Sequence, residues 1–266
     1  MTLATRIHGN EDPTYWLNRN QAETNRLLLQ SRLINPITRA ILVEAGLASG
    51  MTVLDIGSGP GDVALLAAKI VGPTGKVVGV DKDPAILEVA RRRACAAGLT
   101  NVHFIDGDVR SVEPGASFDA ITGRLVLLYL GDPVATLAAL TERLRPGGIA
   151  AIQEANIRPE TVYAHPQLGI WEKVSSWVGA AAGAAGLNQT IGFDLRRIFL
   201  SAGLPEPSMR FDSPLGGGMD WAGYDYIAAT VRNMLPLILK NRIDSADEID
   251  ISTLADRLRI ATTAAD

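Results

Sequence analysis

Between Met51 and Glu154, short β-rich apolar runs alternate with longer stretches whose apolar residues recur at helical spacing. The runs Thr52 to Ile56, Lys76 to Val80, Val102 to Ile105, Phe118 to Thr122 and Ile149 to Glu154 predict five strands. A strand followed each time by an amphipathic helix is the order in which successive βα units build a parallel sheet. The pattern therefore predicts an α/β fold with a doubly wound, mostly parallel sheet. Local punctuation agrees: Asp83 can cap the second helix, Pro84 suits its first turn, and Gly98 can take the left-handed conformation that ends it. Arg145-Pro146-Gly147-Gly148 reads as a turn from helix to strand.

The flanks have a different rhythm. Residues 1–50 begin polar and become helical, with Asn35 as a cap, Pro36 at the first helical position and Gly46 near the stop, which predicts a helical N-terminal cover. Beyond Glu154, His165 to Gly186 and Trp221 to Lys240 read as helices outside the alternation and predict helical lid insertions. A helix around Phe193 to Ala202 leads into an extended stretch, Ser208 to Ser213, expected to add a strand at the sheet edge. The expected organisation is a cover at 1–50, a ligand-binding core at 51–155, and lid helices with C-terminal completion of the sheet at 156–266, all in one compact unit.

Composition narrows the classes. With 47% apolar and 20% charged residues, the chain has enough apolar surface to offset the entropy of ordering its backbone. A formal charge of −4 without a basic stripe argues against nucleic acid as a partner. Cys95 is the single cysteine, so neither an intramolecular disulfide nor a Cys-based zinc cluster forms, which suits a reducing cytoplasm. The first twelve residues lack the apolar run of a signal peptide, and no later apolar stretch is long enough to span a bilayer, so no membrane association is expected.

Candidate chemistry concentrates where the first strand gives way to the first helix, at Val53-Leu54-Asp55-Ile56-Gly57-Ser58-Gly59-Pro60-Gly61-Asp62. Gly57, Gly59 and Gly61 can adopt positive φ and let backbone amides approach a ligand. In a dinucleotide fingerprint counted from Gly57, the last glycine would fall at Asp62. A carboxylate there repels pyrophosphate, and Asp55 adds a second negative charge, so a cationic or amine-bearing ligand is favoured.

Asp55-Ile56-Gly57-Ser58-Gly59-Pro60-Gly61 resembles the first motif of class I S-adenosylmethionine-dependent methyltransferases. The similarity continues in order through Val80-Asp81, Gly107-Asp108-Val109, Phe118-Asp119-Ala120 and Leu144-Arg145-Pro146-Gly147-Gly148, covering roughly residues 50 to 155. The resemblance implies a Rossmann-like methyltransferase fold and S-adenosylmethionine as cofactor, held by Asp55, Gly57, Ser58, Gly59 and Gly61 of the loop. It places Asp81 on the ribose hydroxyls, and a carboxylate is able to accept both bonds. It places Lys82 beside the adenine, Asp108 on the adenine amino group, the Val109 amide at a ring nitrogen, and the backbone at Gly123 and Arg124 near the methionine amino group. Simpler readings stand beside these: Asp81 as the cap of the following turn, and Asp108 closing a turn after Gly107.

Methyl transfer from a sulfonium is an in-line displacement that depends mainly on positioning in a dry pocket. An oxygen or carbon acceptor also needs to lose a proton. Glu154, at the end of a buried strand, is the first candidate base; its competing role is an ion pair with Arg124 or Arg158 that orders the lid. His165 is the second candidate, with exposure to solvent as its alternative. His8 and His103 read as structural. Asp106 and Asp108 do not form a magnesium site at the methyl group, so no metal is assigned. Tyr15, Trp16, Trp171, Trp177, Trp221, Tyr224 and Tyr226 either wall a site for a planar or polyprenyl-like acceptor or pack the lid on the sheet.

The expected function is thus metal-independent O- or C-methylation of a small organic, natural-product or quinone-like acceptor. Two rivals are a cyclase that keeps the cofactor without transferring its methyl, and a non-catalytic nucleoside-binding scaffold. The family's antiparallel sixth and seventh strands have no counterpart in the final residues 259–266. Three explanations stand open: a shortened chain, a lid helix in place of the strand, or a partner subunit, as in a homodimer.

Overall fold

The computed structural model describes residues 21–109, 117–159 and 162–265; His8, Tyr15 and Trp16 lie outside the described residues. Five strands, β1 (Thr52–Ile56), β2 (Lys76–Asp81), β3 (Val102–Asp106), β4 (Phe118–Arg124) and β5 (Leu144–Gln153), form one sheet in the order β3-β2-β1-β4-β5. Every pairing is parallel. The chain starts at the middle strand, winds outward to β3, then crosses to β4, so the topological switch lies between β1 and β4. Ligands bind in the crevice that such a switch opens at the carboxyl ends of the strands.

Helices α2 (Asp62–Val71), α3 (Pro84–Ala96) and α4 (Pro133–Thr141) complete the alternating units. The sheet divides two apolar layers, one around Leu54, Ile121, Leu137 and Ile198, the other around Val53, Ala64, Val77 and Leu87. Asp83 caps α3 as its sequence predicts, accepting from the amides of Ala85 and Ile86. A third apolar cluster joins α5 (Gly169–Ala184), α7 (Gly223–Lys240) and α9 (Leu254–Thr263) through Trp171, Trp177, Tyr224 and Met234. The remaining helices are α6 (Ile191–Ser201) and α8 (Ala246–Ile249). Among the described residues, no helix is long and apolar enough to cross a membrane.

Three local expectations are corrected. Helix α1 spans Gln21–Glu44 and contains Pro36, so Asn35 is not a cap. The stripe Leu27, Gln30, Ile34, Ile37 and Ile41, spaced at helical intervals along one cavity wall, runs straight through the proline. An interior proline costs a helix about 3 kcal/mol. Arg145-Pro146-Gly147-Gly148 belongs to β5 as an irregularity: Phe118 pairs with Leu144 and Ala120 with Ile149, so β5 bulges there, with Gly147 at φ +79°. Ser208 to Ser213 adds no strand, and none follows β5 among the described residues. Arg210 of that stretch pairs with Glu44 and Asp212, which ties it to the end of α1 instead of the sheet edge.

Candidate active site

The turn from β1 into α2 takes positive φ at Gly57 (+60°), Gly59 (+51°) and Gly61 (+86°). A Cβ at Gly57 would lie 2.5 Å from Val126, and one at Gly61 would press on Phe104 and Ala90. At Gly59 nothing lies within 4 Å of that direction, so this backbone is open to a ligand. The Ser58 amide donates to the Val80 carbonyl at 2.9 Å, and the Gly59 amide donates to Asp81 Oδ2 at 2.8 Å. Asp81 Oδ1 accepts from the Asp83 amide at 3.0 Å. Asp81 therefore closes its own turn and also clasps the neighbouring loop, leaving lone pairs on both oxygens.

The charges near this loop are arranged differently from the simple sum of two acids. Asp55 is 1% exposed, stands behind the loop and does not line the cavity; neither carboxylate oxygen has a hydrogen-bond partner. Burial pushes it up to about 8, opposed in part by Arg124 and the nearby Ala64 amide. At neutral pH it is mainly the uncharged acid, so the expected negative charge at this strand end is absent. Asp62 is buried on the cavity wall between two guanidinium groups, 2.6 Å from Arg93 and 3.5 Å from Arg124. Arg93 also donates to the Pro60 carbonyl at 2.6 Å and so braces the loop from α3. The repulsion assigned to Asp62 is thus compensated within the protein.

Arg124 ends β4 with its side chain almost fully enclosed. Burial lowers its pKa, while Asp62 and Asp55 oppose that shift. Its Nη1 donates to Asn35 Oδ1 at 2.9 Å and Thr38 Oγ1 at 3.0 Å, and Thr38 donates in turn to Gln153 Oε1 at 2.7 Å. Asn35, Thr38, Arg93 and Gln153 are not among the site residues that the sequence suggests. Gln153, next to Glu154 at a strand end, was the one with a readable signal.

Glu154 follows β5 and lines the same cavity. Its Oε1 accepts from the backbone amides of Val126 at 3.0 Å and Leu127 at 2.7 Å, while buried Oε2 has no hydrogen-bond partner. Neither Arg124 nor Arg158 forms an ion pair with it. Burial raises its pKa to about 8, with the two amides pulling it back down. His165 sits exposed at the rim before α5, and His103 is exposed on β3.

One cavity of about 1650 Å³ joins these parts. Ligand pockets usually run about 300–1,000 Å³, so this one has room for a nucleoside and a second molecule. Gly57, Ser58, Gly59, Asp81, Lys82, Val109 and Arg124 line it; Asp55, Gly61 and Asp108 do not. Asp108 pairs with Lys82 at 3.5 Å. Of the aromatic candidates, Trp171, Trp221 and Tyr226 reach the wall, whereas Trp177 and Tyr224 are packed within the lid cluster. Trp221 and Tyr224 meet edge-on with ring centroids 5.1 Å apart. Among the described residues, no group of three or more His, Cys, Asp or Glu is placed to hold a metal ion.

A methyltransferase-domain family model matches residues 47–202, more than half of the chain. The chain belongs to this family, the S-adenosylmethionine-dependent methyltransferases. This methyltransferase is 37% identical over 116 residues to a trans-aconitate 2-methyltransferase of Azoarcus sp., covering 43% of each chain. It is 34% identical over 127 residues to the aklanonic acid methyltransferase of Streptomyces sp., covering 47% of this chain and 58% of the other. It is 35% identical over 112 residues to a ubiquinone/menaquinone biosynthesis C-methyltransferase of Pseudomonas putida, covering 41% and 44%. The methyltransferase thus spans about half the length of these curated relatives.

Proposed function

We propose that the chain transfers a methyl group from S-adenosylmethionine to an oxygen or carbon of a small organic acceptor, without a metal ion. The observation that carries this reading is one cavity lined by the open Gly59 backbone and Asp81 and also by Glu154, whose buried Oε2 has no hydrogen-bond partner. Quinone and polyketide acceptors are suggested by the names of two relatives, and O- as well as C-methylation remains within the chemistry described below.

The residues fit the cofactor. Asp81 would accept from the two ribose hydroxyls while retaining its bonds to Gly59 and Asp83. The backbone at Gly57, Ser58 and Gly59 would hold the nucleoside, with Val109 and Lys82, which Asp108 pairs, toward the adenine and the Arg124 backbone toward the methionine part. S-adenosylmethionine, when bound, supplies an electrophilic methyl group on a sulfonium and leaves as a neutral thioether.

The protein's own share is positioning and one proton. The Val126 and Leu127 amides fix Glu154 Oε1, and Oε2 is left buried without a hydrogen-bond partner. The ionised carboxylate takes the proton that the acceptor's O–H or C–H loses as its new bond to carbon forms. Trp171, Trp221 and Tyr226 exclude water and orient the acceptor.

The test uses the full chain with methyl-labelled S-adenosylmethionine and a panel of phenols, quinones, polyketides and isoprenoids. Labelled product with equimolar S-adenosylhomocysteine is the expected result. Product formed without S-adenosylhomocysteine would make the protein a cyclase, and cofactor binding with no turnover of any acceptor would favour a scaffold.

A further inference from the structure

The charges around the cavity are almost all cancelled from within. Arg26 is buried against Glu23 at 2.7 Å, and Arg124 lies 3.5 Å from Asp62. Arg196 pairs with Glu206 at 2.5 Å, and Arg210 sits between Glu44 and Asp212. Arg158 is engaged as well. Arg92 is exposed on α3, on the wall that follows Asp81, away from the end of β5. Lys82 on the same wall pairs with Asp108, so around Glu154 the described wall offers an anionic acceptor no uncommitted arginine or lysine, and a buried charge without a partner is strongly disfavoured.

The mouth carries the opposite signal. Phe193 and Phe211 line the cavity, are 64% and 71% exposed, and lie nearly parallel, 15° apart with centroids 6.5 Å from each other. Tyr163, Met209 and Leu215 are exposed beside them on the same rim. Water-facing apolar side chains gathered at the entrance of a ligand cavity mark a binding surface. The segment holding Phe211 is joined to the end of α1 by the Arg210–Glu44 pair.

We infer that the acceptor is an uncharged, mainly apolar molecule that presents one acidic O–H or C–H to Glu154 while its apolar body leaves the cavity past Phe193 and Phe211. The inference rests on the methyl-transfer reading and narrows its acceptor class.

Calorimetry on the full chain saturated with S-adenosylhomocysteine, at pH 7, compares 2-naphthol with 6-hydroxy-2-naphthoate and with trans-aconitate. The naphthol is expected to bind at least about tenfold more tightly than either anion. The Phe193→Ala, Phe211→Ala double variant is expected to weaken naphthol binding about fivefold or more while binding S-adenosylhomocysteine as before. Equal or tighter binding of an anion, no detectable naphthol binding beside the bound nucleoside, or an unchanged naphthol affinity in the double variant overturns the inference. Failure to bind S-adenosylhomocysteine at all would instead remove the methyl-transfer reading beneath it.

Discussion

Replacing Glu154 with Gln removes the ionisable group but keeps an oxygen where Oε1 accepts from Val126 and Leu127, 3.0 and 2.7 Å away. The local fold is expected to survive, so the pH dependence of turnover isolates the carboxylate. Burial holds Glu154 at about 8 instead of its ordinary 4.5. A base with that pKa is ionised in roughly one molecule in ten at pH 7 and roughly nine in ten at pH 9. The rate with an acceptor that does not itself ionise between about pH 6 and 9.5 should therefore rise by up to about tenfold from pH 7 to 9. A bound sulfonium favours the ionised form and moves the midpoint below that of the ligand-free protein. General-base assistance contributes about 10²–10⁴, so Glu154→Gln should lose at least about 100-fold at pH 9 together with the rising limb. Labelled-methyl assays across this range supply both curves. A variant that keeps the limb, or a wild-type rate independent of pH, would refute the assignment of Glu154 as base.

Asp81→Ala removes the acceptor of the Gly59 and Asp83 amides and the proposed ribose contact; with about 1.5–3 kcal/mol per charged hydrogen bond, S-adenosylmethionine affinity should fall by at least about tenfold. Calorimetry finding equal affinity would remove that contact. Asp55 has a folded pKa of about 8 against 3.8 ordinarily, so its favourable contribution to stability is present below 3.8 and is lost as pH rises toward 8. Asp55→Asn stays neutral throughout, and its stability relative to wild type should improve between pH 5 and 8 by up to roughly 4 kcal/mol, at about 1.4 kcal/mol per pH unit. Denaturant melts at both pH values test this, and a constant difference would contradict it. Methyl transfer should be unaffected by a metal chelator at concentrations that strip magnesium, and loss of activity would overturn the metal-independent mechanism.

What could be read from the sequence followed local rules. Gly57, Gly59 and Gly61 stood out because their spacing and their place after an apolar run are visible within ten residues, and all three take positive φ. Asp81 and Glu154 were legible as the acidic residues that end apolar strands. The partners of these groups were not, because they come from distant segments. Glu154 is held by amides of the loop after β4, where Leu125 takes φ +54°. Asn35 resembled a helix cap because Pro36 follows it, yet its side chain meets Arg124, 89 positions along the chain. Met209, Arg210, Phe211 and Asp212 alternate like a strand, but the Arg210–Glu44 pair draws them to α1.

Those long-range contacts redistribute the negative charge near the glycine loop. On sequence alone the attraction rested on Asp55 and Asp62, two acids near one strand end. In the fold, Asp55 is a neutral buried acid at pH 7 and Asp62 is shared by Arg93 and Arg124. Asp81 instead carries its charge to the cavity wall, because amide donors stabilise a carboxylate without neutralising it. The Asp62–Arg124–Thr38–Gln153 chain then serves a mechanical purpose, linking the start of α2, the cover helix and the end of β5. It fixes Glu154's strand relative to the glycine loop, and a displacement depends on such fixed geometry between donor and acceptor.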